Sequence, residues 1–409
     1  MDVAGELKEG LATEQPRAGA EPAAEKFQAA RVITIAAGHW IHDSYTAFLA
    51  PLLIIFKQNL GLTNAEAGLL SVFMQEASLA QPLIGGLADR FNVRYFVILA
   101  PAVTGVCMSL LGLSTNYWTL AIFLTIVGIS SACLHAVGPV LIGNVSGKQL
   151  GTGMSIWMVG GEAGRTIGPI VVVSVVAVWG LQGVPWLMLG GWLASGVLFI
   201  WLRNVPDRPA TTTGPRPWRP ALRAMRPVLL PVAGIMAART LLIGALTTYL
   251  PTFLNSEGLS LWLSGAALSI MQLAAVGGAL SGGPSSDRWG RKSILAASLS
   301  FSSLFMFLFL GAQGWIAVPL LLLLGFSSVA VMPVSMALVQ ESFPQDRALA
   351  NGIYMAFNFL VQALGVLLLG ALADWFGLRT AFTISAAVIL LGLPLIFLLP
   401  KRGSPAART

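Results

Sequence analysis

Apolar runs of about twenty residues recur twelve times along this chain, and a helix of that length spans a bilayer core about 30 Å thick. Spans of that size fall near residues 31–56, 65–88, 94–113, 117–142, 150–178 and 185–203. A second set falls near 227–254, 262–284, 292–311, 315–340, 347–373 and 379–400. Charged residues make up 10% of the 409, against about 25% in an average soluble domain. The bilayer is therefore the solvent for most of the protein, and the expected fold is an all-α membrane protein of twelve transmembrane helices. Residues 1–30, rich in Glu, Ala, Gly and Pro, read as a disordered cytoplasmic tail rather than a signal peptide, and residues 401–409 as a second tail. Cys107 and Cys133 both lie in apolar runs, so no disulfide framework is indicated.

A net charge of +7 invites a nucleic-acid reading, but its distribution excludes one. With the N-terminus inside, twenty of the 24 Lys and Arg residues are cytoplasmic, Lys57 and Arg379 are external, and Arg165 and Arg239 lie within the membrane. That asymmetry follows the positive-inside rule and places both termini in the cytoplasm of a multi-pass cell-membrane protein. The longest polar connection, 204–226, carries five arginines and five prolines, suits the anionic inner leaflet, and divides the chain into six-helix halves at 31–203 and 227–400. The halves repeat. Gly85-Gly86-Leu87-Ala88-Asp89-Arg90 has its counterpart in Gly283-Pro284-Ser285-Ser286-Asp287-Arg288, 198 residues later. Parallel six-helix repeats with a site between them near mid-bilayer are a plan of secondary transporters.

The second copy, continuing through Trp289-Gly290-Arg291-Lys292, resembles the cytoplasmic loop signature of the major facilitator superfamily. The resemblance implies that Asp89, Arg90, Asp287, Arg288 and Arg291 are gate residues joining the halves in one transport state, not substrate ligands. A narrower resemblance, to the fosmidomycin-resistance branch, rests on His39-x-x-x-Asp43 with Pro51-Leu52-Leu53, Gln81-Pro82 and His135. Val159-Gly160-Gly161, Gly168-Pro169, Gln340-Glu341 and Ala373-Asp374 extend it. It implies a proton-driven exporter of drugs or related small molecules. Gly164-x-x-x-Gly168-Pro169 is also similar to the core of that superfamily's antiporter motif, with Val172 and Val173 where its last glycines would stand. The chain departs from the branch at Glu162 and Arg165, and by having Ala136-Val137-Gly138 beside His135 in place of an acid, so substrate identity does not carry over.

The residues themselves point to transport independently. Asp43, Glu76, Glu162, Arg165, Arg239, His39, His42 and His135 are flanked by apolar residues, and ionisable groups at membrane depth mark pathways and proton relays. His39, His42, Asp43 and Thr46 follow helical spacing, with Asp43 roughly 17 Å into its span. A carboxylate one turn from an imidazole suits proton coupling. The expected proton-coupling set is Asp43, His39, His42 and Glu76. Glu162 and Arg165, three apart, pair with each other or serve a substrate. Arg239, roughly 18 Å into the seventh span, needs a carboxylate from Asp43 or Glu76, or an anionic substrate. Three deep acids against two deep arginines leave one acid free to carry a proton. The expected substrate wall comprises Glu162, Arg165, Arg239, His135, Gln272, Asn358, Gln362 and Tyr249.

The leading expectation is a proton-coupled antiporter exporting a small organic molecule by alternating access. Its partners are the substrate, protons and membrane lipids, with no nucleic acid, no cofactor and a monomeric state. The rival is an organic-anion carrier using Arg165 and Arg239. A weaker one is a metal-ion exporter with His39, His42, Asp43 and His135 as ligands. No nucleotide loop, nucleophile–base pair or HExxH suggests an enzyme.

Overall fold

The structure is a computed structural model that describes residues 26–80, 94–147, 149–204, 218–343 and 347–399, and these fold entirely as helices and turns. The N-terminal part of the chain supplies α1 (Ala29–Thr46), α2 (Leu49–Leu60), α3 (Asn64–Gln75), α4 (Arg94–Leu110), α5 (Tyr117–Ser146), α6 (Leu150–Trp179) and α7 (Met188–Leu202). The C-terminal part supplies α8 (Trp218–Gly244), α9 (Leu250–Ser256), α10 (Leu261–Trp289), α11 (Arg291–Gly311), α12 (Ala317–Val329), α13 (Val331–Ser342), α14 (Arg347–Phe376), α15 (Leu378–Val388) and α16 (Gly392–Leu398). Ten helical segments among the described residues are long and apolar enough to cross a membrane, where the sequence led us to expect twelve. The first two expected spans make the difference. The first is interrupted at Ala47–Phe48 into α1 and α2, and the second runs from α3 past Ala80, outside the described residues.

The apolar side chains sort by chain segment. One buried core is drawn almost wholly from residues 225–399, with Ala50 the contribution from the other part. Two smaller cores are drawn from residues 32–202. Large apolar groups such as Trp118, Leu193, Trp315 and Phe397 stand exposed on the outside, where acyl chains rather than water satisfy them. Helix boundaries follow local chemistry. Gly61 ends α2 in the left-handed region at φ +65°, and Thr63 with Glu66 forms a reciprocal capping box at the start of α3. Between α8 and α9 the helix widens into a π turn at Ala245–Tyr249, followed by Pro251.

At one end of the bundle the two chain segments are tied together. Asp374, at the end of α14, accepts from the backbone N–H groups of Asn64 (2.7 Å) and Ala65 (2.9 Å) at the start of α3. Its carboxylate thus satisfies two of the orphan donors of that helix and faces the positive end of its dipole. Tyr249 donates to the Asn64 carbonyl at 2.7 Å, Lys57 donates to the Asn64 side chain, and Trp262 donates to Ser174 at 3.1 Å. Burial pulls the Lys57 pKa down, and the Asp374 carboxylate opposes that shift. Gly370 permits the approach, since a Cβ there would lie 2.8 Å from the Ala65 Cα.

The opposite end carries the repeated Asp-Arg turn. Arg291 pairs with Asp287 at 2.5 Å and, in a forked contact, with Glu341 at 2.6 and 3.3 Å. Arg288 lies over the Trp289 ring. These contacts stay within the C-terminal part. Asp89 and Arg90 lie outside the described residues, so the expected gate pairing between the repeats is not visible.

Candidate substrate cavity and proton site

A seam of glycines brings α6 against α1. A Cβ at Gly160 would lie 2.5 Å from the Ala36 carbonyl oxygen, and one at Gly164 or Gly168 would collide with the carbonyls of Trp40 and Ser44. Small residues at this spacing let two backbones touch. Gly161 makes room for the His39 imidazole, and Gly138 on α5 makes room for the Trp157 ring. Trp157 in turn stacks on His39 with ring centroids 3.8 Å apart. The glycines thereby bring side chains of α1, α5 and α6 to one point.

At that point stands Asp43, 2% exposed. Its Oδ2 accepts from Arg165 at 2.9 Å and lies 3.3 Å from His39 Nε2, while Oδ1 lies 3.8 Å from His135 Nε2. The Arg165 guanidinium also binds Glu162. One arginine is therefore shared by two carboxylates.

The hydrogen bonds fix the tautomers. His39 Nδ1 lies 3.0 Å from the Trp157 carbonyl, and His135 Nδ1 lies 2.8 Å from the Ser131 carbonyl. A carbonyl only accepts, so each Nδ1 carries the proton and donates it. Each neutral ring then turns a bare Nε2 lone pair inward. Those two Nε2 atoms are 3.2 Å apart, with the Asp43 carboxylate beside them. Two lone pairs and an anion at that separation repel unless a further proton lies between them. The arrangement brings His39, His135 and Asp43 close enough to share a hydrogen between them.

His42 does something else. It is fully buried, its Nδ1 donates to Thr104 at 3.0 Å, Thr104 donates to Ser130 at 3.1 Å, and Ser130 donates to the Ala100 carbonyl. This chain of polar contacts points into the packing against α4 and α5. His42 thus lies off the cavity wall, although helical spacing had grouped it with His39.

The proton site opens on a cavity of about 470 Å³ walled by both parts of the chain. His39, His135, Glu162 and Arg165 contribute from one side, and Arg239, Gln272, Asn358 and Gln362 from the other. Two expected members lie elsewhere. Tyr249 is fully buried in the ties at the Asp374 end, and Glu76 is exposed where α3 gives way to a short 3-10 turn. Arg239 was expected to find Asp43, Glu76 or an anionic substrate; Asp43 is taken by Arg165 and Glu76 is exposed. The Trp157 carbonyl orients His39. The sequence carries no local signal for that carbonyl, because the contact depends on how closely α1 and α6 approach.

The ligand atoms of His39, Asp43 and His135 lie within 4.8 Å of one another, a spacing a metal ion can bridge. Arg165 already neutralises Asp43 there, and a dication would sit against that guanidinium. The donor set suits a proton better than an ion.

The family described as Major Facilitator Superfamily matches this chain over residues 35–325 and 278–409. The Fosmidomycin resistance protein of Escherichia coli K12 is 25% identical over 401 residues, covering 95% of this chain and 98% of that protein. The Multidrug resistance protein MdtG of Escherichia coli 55989 is 23% identical, covering 86% and 90%. Among solved structures, a bacterial homologue of the human lysosomal transporter Spinster, inward-facing and occupied, superposes with a TM-score of 0.76 at 14% identity. The superposition covers 93% of this chain and 97% of that one.

Proposed function

The chain belongs to the Major Facilitator Superfamily, and on that premise we propose that it is a secondary active antiporter, exporting a small organic molecule in exchange for protons. Efflux as the direction rests on the relatives named for resistance to fosmidomycin and to multiple drugs. Proton coupling rests on one observation, the pair of inward-facing Nε2 atoms 3.2 Å apart beside the Asp43 carboxylate. An imidazole can both accept and donate a proton, so such a site can pass one between the cavity and the carboxylate.

In this reading the fold is twelve spans in two six-helix halves, with both termini cytoplasmic. The end tied by Asp374 and Tyr249 faces outward and is shut, and the cavity serves the cytoplasm. Substrate enters, the halves rock, and the proton site is exposed to the other side, where a proton replaces the substrate. His39 and His135 line the cavity beside Asp43, which ties protonation to the same access path that the substrate uses.

The test uses purified full-length protein in proteoliposomes with a pH-sensitive dye inside and fosmidomycin as the first compound, followed by a panel of small organic molecules. Substrate-dependent proton movement that disappears in Asp43→Asn is the expected result. Transport that proceeds at the same rate with the proton gradient collapsed by an uncoupler would overturn the antiport mechanism.

A further inference from the structure

Arg239 has no acid. It sits mid-helix on α8, 7% exposed, on the cavity wall opposite the Asp43 group. One terminal nitrogen donates to the Ser328 carbonyl at 3.0 Å, and Nε is buried without a partner. No ion pair joins it to a carboxylate among the described residues. The ionisable neighbour acting on it is the Tyr354 phenol, which is uncharged at ordinary pH. Guanidinium remains protonated at any accessible pH, so this charge cannot be shed by titration.

The imbalance is specific. On the α1–α6 side two carboxylates share Arg165; on the α8 side one guanidinium has none. A buried charge is tolerated when a counter-charge or a polar solvent reaches it, and the cavity is the route by which either can arrive. The same wall offers amide donors from Gln272, Asn358 and Gln362, which suit the oxygens of an anion beside the guanidinium fork. Resting on the reading of this cavity as the substrate site, we propose that the transported molecule is a small organic anion whose carboxylate, phosphonate or phosphate group pairs with Arg239.

The test is thermal unfolding of the purified full chain with four probes of matched size: benzoate, phenylphosphonate, benzamide and benzylamine. Inorganic phosphate serves as a fifth probe, to separate a bare anion from an organic one. The two organic anions should raise the unfolding temperature, more than phosphate does, while benzamide and benzylamine should not. Arg239→Gln should remove the shift, and Arg239→Lys should keep part of it at an affinity about tenfold or more weaker, because the fork is lost. Without probe, Arg239→Gln should lower the unfolding temperature by no more than about two degrees, the loss of the one hydrogen bond to the Ser328 carbonyl, since there is no ion pair to lose. A drop of several degrees would show a structural role and overturn the proposal. So would equal shifts with benzamide, anion shifts that persist in Arg239→Gln, phosphate acting as strongly as the organic anions, or no shift with any anion. The assay does not depend on proton movement. If the proton mechanism fails, the anion shifts remain; if the anion assignment fails, Asp43-dependent proton movement with neutral or cationic substrates remains.

Discussion

Committing each Nδ1–H of His39 and His135 to a backbone carbonyl turns both Nε2 atoms toward Asp43, the arrangement on which the proposed proton coupling rests. His42, three residues from His39, commits its Nδ1 to Thr104 and leaves its Nε2 4.0 Å from Asp43 Oδ1, without a hydrogen bond. The two histidines should therefore respond differently to the same change. His39→Gln should cut proton-coupled transport about a hundredfold, the scale of a lost proton-transfer group, with little loss of fold. His42→Gln should keep coupling but lower stability by about 1–2 kcal/mol, because Thr104 loses a buried partner. Parallel dye-quench and thermal-unfolding measurements on the two variants separate these outcomes. The His39–Asp43 spacing made their neighbourhood legible from sequence. His42 does lie beside Asp43, 4.0 Å away, but residues three and four apart on a helix differ in direction by about 100°, so it does not share the cavity wall with His39. That angle is enough to send one side chain to the cavity and the other into α4. The expected count of three deep acids against two arginines did not hold, since Glu76 is exposed, and which acid meets which arginine depends on helix approach.

Between elements, the glycine seam sets the approach of α1 to α6. Gly164→Ala would drive a methyl into the Trp40 carbonyl, with no flexible side chain to yield. A cost of about 1–3 kcal/mol and a lower folded yield on size-exclusion chromatography should follow. The seam could be read from Gly164-x-x-x-Gly168, because small-residue spacing carries its own packing rule. The tie between α14 and α3 could not. Asp374 meets Asn64 across 310 residues of chain, and nothing near either residue announces the other. Asp374→Ala removes a helix-start acceptor worth about 1 kcal/mol, which should shift the ratio of open to closed forms at that end about fivefold. Labelling of a Thr247→Cys reporter by an impermeant maleimide, in a protein with Cys107 and Cys133 replaced by Ser, measures that shift. Unchanged labelling would mean that the tie does not hold the end shut.

For the whole molecule, closure at the Asp374 end ought to be a state that the protein must leave in order to work. Val173 and Gly265 offer a way to test this, because a Cβ built on Gly265 lies 3.3 Å from the Val173 Cβ, close to disulfide range. The double variant Val173→Cys, Gly265→Cys should lose transport on oxidation and regain it with reductant, while substrate binding measured in detergent persists. Retained transport in the crosslinked protein would show that this seam stays fixed through the cycle. The all-helical membrane fold was legible at this scale because the length and polarity of each apolar run report the bilayer directly. The broken first span was not, since the interruption at Ala47–Phe48 contains neither proline nor glycine and is decided by tertiary packing.

The shared carboxylates and the solitary Arg239 ride on helices from opposite parts of the chain. Any motion of one set past the other along the membrane normal therefore carries opposite charges through the field, even with the cavity empty. One elementary charge moved across a 100 mV potential is worth about 2.3 kcal/mol, and a partial traverse a proportionate share. With the proton site unloaded, a membrane potential would therefore bias the position of one part against the other. Capacitive transients recorded on a solid-supported membrane should report its rocking before any compound is supplied.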